Sequence, residues 1–332
     1  MNGKALSIKN NSKIDYLSKE ISEFLNRGNA TNEKISATLH LLKNEIGIKT
    51  LKDLEQSHIE KIALGLKEKV KSANISTSAT GSYISSLNNI VKYIGNKELH
   101  AIKASDYGLS RNISEQDGIN KENSRESAQA YNKWLNQKYE HTKDLRYAAL
   151  RQAVNIQSVN LRLRESLLVK LQNKDLSQNI LKISEKGDGS KNSRAREIKL
   201  NPEQKQAVIE AKTFLKENQL KNLNTGTLRQ GRDFANNALK SFRQETGQSF
   251  HYHGERHWTT HEAYKNAWEI KGYNNIECRA RTGETKAEWI GCTLKETGLT
   301  KAGFIVLDKE IRQEISLNLG HERIEITNRY LG

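Results

Sequence analysis

The sequence predicts a mainly α protein with a small antiparallel β-sheet (α+β), in which an N-terminal helical bundle precedes a larger mixed domain. Three observations predict it. Apolar residues in the first part of the chain recur at helical spacing in four separate stripes. Two short alternating runs, Leu181-Lys182-Ile183-Ser184-Glu185 and Arg196-Glu197-Ile198-Lys199-Leu200, flank a connection rich in Gly, Ser and Asn, the pattern of a β-hairpin. Between bundle and hairpin, residues 108–127 are polar and poor in apolar side chains, as an interdomain linker is. The expected organisation is a helical domain over 1–107, a linker over 108–127 and a second domain over 128–332.

The stripes justify the bundle in order. Ile14, Leu17, Ile21 and Leu25 form the first, and Ile35, Leu39, Leu42 and Ile46 the second. Ile59, Ile62, Ala63, Leu66 and Val70 form the third; Ile84, Leu87, Val91 and Ile94 the fourth. Breaks near Gly28-Asn29, Gly47 and Ala73-Asn74-Ile75-Ser76 separate them. The run Ser76-Thr77-Ser78-Ala79-Thr80-Gly81 before the fourth stripe reads as a helix cap, with Ser76, Thr77, Ser78 and Thr80 as hydroxyls that could also meet phosphates. Tyr131, Trp134, Leu135 and Tyr139 open the second domain, and Asn201-Pro202 marks a helix start after the hairpin.

Composition narrows the function classes. The 332 residues carry 54 Lys and Arg against 39 Asp and Glu, a formal net charge of +15, so the chain is attracted to polyanions. Residues 1–110 hold 16 basic against 11 acidic residues, so both parts share the excess, as suits a protein that holds a duplex from two sides. Two cysteines and no N-terminal apolar run argue against secretion, and no stretch approaches the ~20 apolar residues of a membrane span. A cytoplasmic location, on the nucleoid when bound to DNA, is expected.

Chemistry concentrates in three boxes and a hairpin. Leu161-Arg162-Leu163-Arg164-Glu165-Ser166-Leu167-Leu168 is the first, His253-Gly254-Glu255-Arg256-His257 the second, and Leu319-Gly320-His321 followed nine positions later by Tyr330-Leu331-Gly332 the third. Lys186 and Lys191 lie at the hairpin turn. In this order the residues resemble the catalytic set of the tyrosine recombinases, the phage-type integrase family, and in particular a subgroup of bacterial integrases whose chains end in Tyr-Leu-Gly. The resemblance covers roughly residues 140–332, and the N-terminal stripes are similar in size and pattern to the family's SAM-like core-binding domain.

The resemblance implies a site-specific recombinase that cuts and rejoins DNA by the chemistry of type IB topoisomerases. Tyr330 would be the nucleophile and a 3′-phosphotyrosyl bond the intermediate. Arg162 and Arg256 would clamp the scissile phosphate, since a guanidinium fork pairs two N–H groups with phosphate oxygens and stays charged at any working pH. His253 would accept the tyrosyl proton, His321 would hydrogen-bond the phosphate, and Lys186, preferred over Lys191, would protonate the departing 5′-oxygen. Glu165 is expected as a structural partner of an arginine, and His257 beside the site. No cofactor is expected, because fixed cations take the place of a metal in stabilising the developing charge. The partners implied are double-stranded DNA attachment sites, further copies in a homotetramer, and accessory DNA-bending or directionality factors, with no membrane. Integration or excision of a mobile element is the implied role; an idle DNA-binding regulator and Xer-like dimer resolution are the alternatives.

Two features stand apart from the pattern. His253, His257 and His261 are spaced for one helix face, a metal-ligand spacing, but Glu255 sits midway between His253 and His257, where neither zinc-protease motif has its glutamate, and Cys278 and Cys292 form no Cys-x-x-Cys pair. And 65 positions separate Arg256 from His321, far more than in compact family members, which marks 265–315 as an insertion.

Overall fold

The computed structural model describes residues 8, 11–25, 29–109, 120–184, 187–189, 195–321 and 324–332. The chain divides into two compact units, residues 1–113 and 114–332. Lys186 and Lys191 lie outside the described residues.

In the first unit the four stripes become helices α1 (Asn11–Phe24), α2 (Asn29–Leu41), α3 (Gln56–Lys71) and α4 (Thr77–Ile94). Ile14, Leu17, Ile21, Ile35, Leu39, Ile59, Ile62, Leu66, Ile84 and Leu87 meet in one buried core. The spacing does not foresee that α2 runs into a π-helical turn, Leu42–Ile46. The wider turn keeps Leu42 in the core as the chain leaves the helix at Gly47. Ser76 caps α4, its hydroxyl accepting the Ala79 N–H at 3.2 Å. Thr80 drops out of the phosphate-binding candidates, because its hydroxyl is fully buried and donates to the Thr77 carbonyl at 2.7 Å. Ser76 and Ser78 are exposed and Thr77 half-buried.

The second unit opens with α5 (Arg125–Thr142), α6 (Leu145–Asn155) and the short α7 (Leu163–Leu168). Strands β1 (Ile180–Ile183) and β2 (Arg196–Lys199) follow, then α8 (Pro202–Glu217), α9 (Leu228–Thr246) and α10 (Tyr252–Ile270). Helices α11 (Arg279–Thr282), α12 (Lys286–Thr297), α13 (Lys301–Asn318) and α14 (Ile324–Leu331) complete it. The strands pair antiparallel with Leu181 opposite Ile198, Lys182 opposite Glu197 and Ile183 opposite Arg196. Leu181, Ile183 and Ile198 face a core shared with Leu161, Leu167, Val208 and Leu215, while Lys182 and Glu197 form an outward ion pair at 2.9 Å. That register puts Arg196 on the inner face.

The segment between the second and third boxes is part of the core. Trp289 of α12 and Phe304, Ile311 and Ile315 of α13 pack with Tyr264 and Trp268 of α10, and Leu319, Tyr330 and Leu331 close the same cluster. Each such side chain contributes about 1.5–3 kcal/mol on burial, and the cluster seats α14. The end of the stretch expected as a linker is also anchored. Asn123 is buried, accepts the His251 N–H at 2.9 Å, and donates to the His251 carbonyl at 2.8 Å and Glu255 Oε1 at 2.7 Å. Gly254 permits this approach, since a Cβ there would lie 2.5 Å from Asn123 Oδ1. Among the described residues no helix is long and apolar enough to cross a membrane.

Candidate active site

Four segments of the second unit bring their side chains together in one cluster. Arg162 occupies the N-cap of α7 in extended geometry, and its backbone N–H donates to Glu165 Oε2 at 2.8 Å in a capping box. The same carboxylate, fully buried, accepts Arg162 Nη1 at 3.0 Å, Arg196 Nη1 at 3.1 Å and Arg196 Nη2 at 2.9 Å. Burial raises the Glu165 pKa, but the bonds and charge of Arg196, with Arg162 behind them, outweigh it and lower the value to about 2. Glu165 is therefore an ionised strut between two arginines.

Helix α10 brings in the second box. Its 3.6-residue period stacks His253, Arg256, His257 and His261 along one side. Arg256 is fully buried and ties the other segments together. Its Nη1 donates to the Asn160 carbonyl, just ahead of Arg162, and its Nη2 donates to the Leu319 carbonyl at 2.5 Å, just ahead of His321. Its Nε points at Tyr330 Oη, 3.3 Å away. Burial lowers the Arg256 pKa to about 10, which leaves it charged at neutral pH.

Gly320 has φ +68°, and a Cβ there would lie 3.1 Å from Arg196 Cδ, so glycine lets the third box turn against β2. His321 then stands with Nε2 3.3 Å from Arg162 Nη2. Tyr330, buried on α14, places its hydroxyl 3.3 Å from His253 Nε2 as well as from Arg256 Nε. An arginine can only donate, so the phenol accepts from Arg256 and is left to donate its proton to His253. Desolvation, then the charges of Arg256 and Arg162, lower the His253 pKa to about 4. At neutral pH the ring is a neutral acceptor. His257 packs its ring 4.5 Å from that of Tyr330. Burial, then His253 and His261, lower its pKa to about 3, and its Nδ1 has no hydrogen-bond partner among the described residues.

Three residues that the boxes do not single out belong to the same assembly. Arg196 supplies the third guanidinium; the signal for it is its phase in β2, in step with apolar Ile198 and Leu200, where an arginine needs a buried partner. His261 is fully buried, with Nδ1 2.8 Å from Glu122 Oε2 and Nε2 2.7 Å from the Tyr330 carbonyl. Burial alone would lower its pKa; hydrogen bonds with Cys278, Glu122 and the Tyr330 carbonyl raise it to about 9. Burial likewise works against Glu122, but His261 and Arg281 lower its pKa to about 2. His253 and His261 hydrogen-bond to the Tyr330 hydroxyl and carbonyl, His257 packs against the Tyr330 ring, and no group of three or more His, Cys, Asp or Glu among the described residues is placed to hold a metal ion.

Arg162, Arg196 and Arg256 against one carboxylate leave the cluster cationic, with a phenol facing a neutral imidazole. Such a set of groups has the chemistry to meet a phosphate oxyanion and present a nucleophile to it.

No protein-family model matches the chain, and no curated protein matches it. Solved structures do. One is the XerH site-specific recombinase bound to palindromic difH substrate in a post-cleavage complex, at 13% identity and TM-score 0.56, covering 97% of this chain and 80% of that one. A pre-cleavage XerH complex with difH matches at 13% identity and TM-score 0.52, over 97% and 81% of the two chains. The Tn1549 transposon integrase in complex with transposon right end DNA matches at 14% identity and TM-score 0.54, over 96% and 94%. The chain has the fold of the tyrosine recombinases.

Proposed function

We propose that the protein is a site-specific DNA recombinase that cuts and rejoins duplex DNA through a 3′-phosphotyrosyl bond at Tyr330. The observation that carries this reading is the position of the Tyr330 hydroxyl, 3.3 Å from both Arg256 Nε and His253 Nε2, beside Arg162 and His321. In the attack, the phenol oxygen bonds to phosphorus as its proton passes to His253, and the bond to the 5′-oxygen breaks. Arg162 and Arg256 take up the charge that grows on the non-bridging oxygens, which is commonly the largest catalytic contribution in such sites. His321 steadies one of those oxygens, and Lys186 is assigned the proton for the departing 5′-oxygen. Attack of a new 5′-hydroxyl on the phosphotyrosine reverses the step and frees Tyr330, so the phosphodiester energy is conserved and no nucleotide is consumed.

DNA attachment sites are the proposed substrates, and integration or excision of a mobile element the proposed role, with four copies assembled on two sites. The first unit is assigned to DNA contact, with Ser76, Thr77 and Ser78 at the α4 N-terminus as candidate phosphate donors. Duplexes enriched from a random pool by the protein supply a site. Two copies of it on one plasmid, incubated with the protein in excess chelator, should yield a deletion circle with an intact site at each new junction. Binding without any junction product would refute the reading, and activity restored only by added zinc or magnesium would refute its metal-free chemistry.

A further inference from the structure

The tyrosine helix α14 spans eight residues, Ile324–Leu331. A helix this short is marginal in water, so its position rests on tertiary contacts. Its final carbonyls have no intrahelical partner and carry the negative end of the helix dipole. Two cationic side chains meet that end. Arg312 Nη1 donates to the Gly332 carbonyl at 3.1 Å and to Asn328 Oδ1 at 3.0 Å. His261 Nε2 stands 2.7 Å from the carbonyl of Tyr330 itself, the residue whose hydroxyl faces His253 and Arg256.

His261 is held from behind. Its Nδ1 meets Glu122 Oε2 at 2.8 Å, so an imidazolium here donates at both nitrogens. Glu122 is fixed in turn by Arg281, through Nη2 at 2.9 Å and Nε at 3.2 Å. Arg281 also pairs with Glu262 at 2.8 Å and Glu277 at 3.0 Å, and Lys265 meets Glu277 at 3.3 Å. Arg281 lies in the segment between the second and third boxes, on α11, the short helix that contacts α14.

We propose that His261 is a positioning residue for the nucleophile: bridging Glu122 and the Tyr330 carbonyl, it caps α14 and fixes the reach of the phenol, and Arg281 holds that bridge in place. The interposed segment thereby acts on the chemical step without touching the scissile phosphate. This rests on the reading of Tyr330 as the nucleophile.

The test uses the full-length protein on a nicked duplex of the selected site, with DNA affinity and single-turnover formation of covalent adduct measured separately. His261→Phe and Arg281→Gln should bind as wild type does. At saturating DNA the first should cleave about ten- to a hundredfold more slowly, the scale of a small misplacement of a reacting group, and the second more slowly in the same direction. The double variant should be no slower than His261→Phe, because both act through one chain of bonds. In His261→Ala, added imidazole should restore part of the rate without changing affinity. Arg281 is partly exposed, so its variant keeps the test open if the buried substitutions disturb folding. Wild-type cleavage rates for Arg281→Gln or for a folded His261→Phe would overturn the positioning role while leaving Tyr330 as nucleophile. No adduct from wild type would instead overturn the reading beneath it.

Discussion

Replacing Glu165 by Gln keeps the shape of the side chain and removes the one negative charge among three guanidinium groups. In the native protein the carboxylate is fully buried and accepts four hydrogen bonds from Arg162 and Arg196. Its pKa falls from 4.5 to about 2, an interaction worth about 3 kcal/mol. Breaking a buried ion pair from one side typically costs about 3–5 kcal/mol, so the two routes agree. The melting temperature of the second unit should drop by about 6–20 °C. The sign with pH follows from a depressed carboxylate: the contribution is full above pH 4.5 and is lost as pH falls through about 2. All four tryptophans, Trp134, Trp258, Trp268 and Trp289, lie in the second unit, so their fluorescence reports its unfolding. Urea midpoints of wild type and Glu165→Gln should differ widely at pH 7, and the difference should shrink to about half or less at pH 3. A difference below about 1 kcal/mol at pH 7, or one of equal size at both pH values, would refute the strut.

The two arginines of the boxes should separate chemistry from affinity. Arg162→Ala and Arg256→Lys are expected to bind a selected site nearly as wild type does but to cleave it at least about a hundredfold more slowly at saturation. Lysine keeps the charge at 256 but cannot span the Asn160 and Leu319 carbonyls while facing Tyr330. Lys67→Ala in the first unit should leave the cleavage rate unchanged and at most flatten the salt dependence of binding by about one; normal cleavage by either arginine variant would remove that residue from the site. Because His253 is neutral above about pH 4, the single-turnover rate should stay flat through pH 6–7 and decline only in more acidic buffer. A rate that halves near the ordinary histidine value of about 6.5 and loses this dependence in His253→Gln would contradict the assignment.

What the sequence made legible divides along physical lines. The bundle core follows from period, and Ile14 through Val91 bury where the stripes put them, with only the stripe ends Leu25, Ile46 and Val70 left partly buried. The hairpin register follows from alternation that turns Leu181 and Ile198 the same way. Arg196 is harder, because a charged residue in an edge-like strand reads as solvated until its partner Glu165 is known, 31 positions earlier. Thr80 looks like an open hydroxyl in a Ser/Thr run, yet helical phase turns it into the core. The role of 265–315 could not be read from its basic residues; it emerges from Trp289, Phe304 and Ile315 burying the face of α14. His261 resembles one more member of a metal-spaced row, and only Glu122, 139 positions away, and the Tyr330 carbonyl show what it binds.

The central claim is that the Tyr330 oxygen forms a covalent bond to DNA. A selected duplex nicked just beyond the cleavage position loses its short fragment on attack and traps the intermediate. Wild type incubated with it should give a protein–DNA adduct that survives denaturant, and peptide mapping should place the nucleotide on Tyr330. Tyr330→Phe, which alters one oxygen in a site otherwise held by Arg256, His253 and His257, should bind the same duplex and give no adduct. An adduct from the Phe variant, or a wild-type adduct mapped to any other residue, would contradict the account.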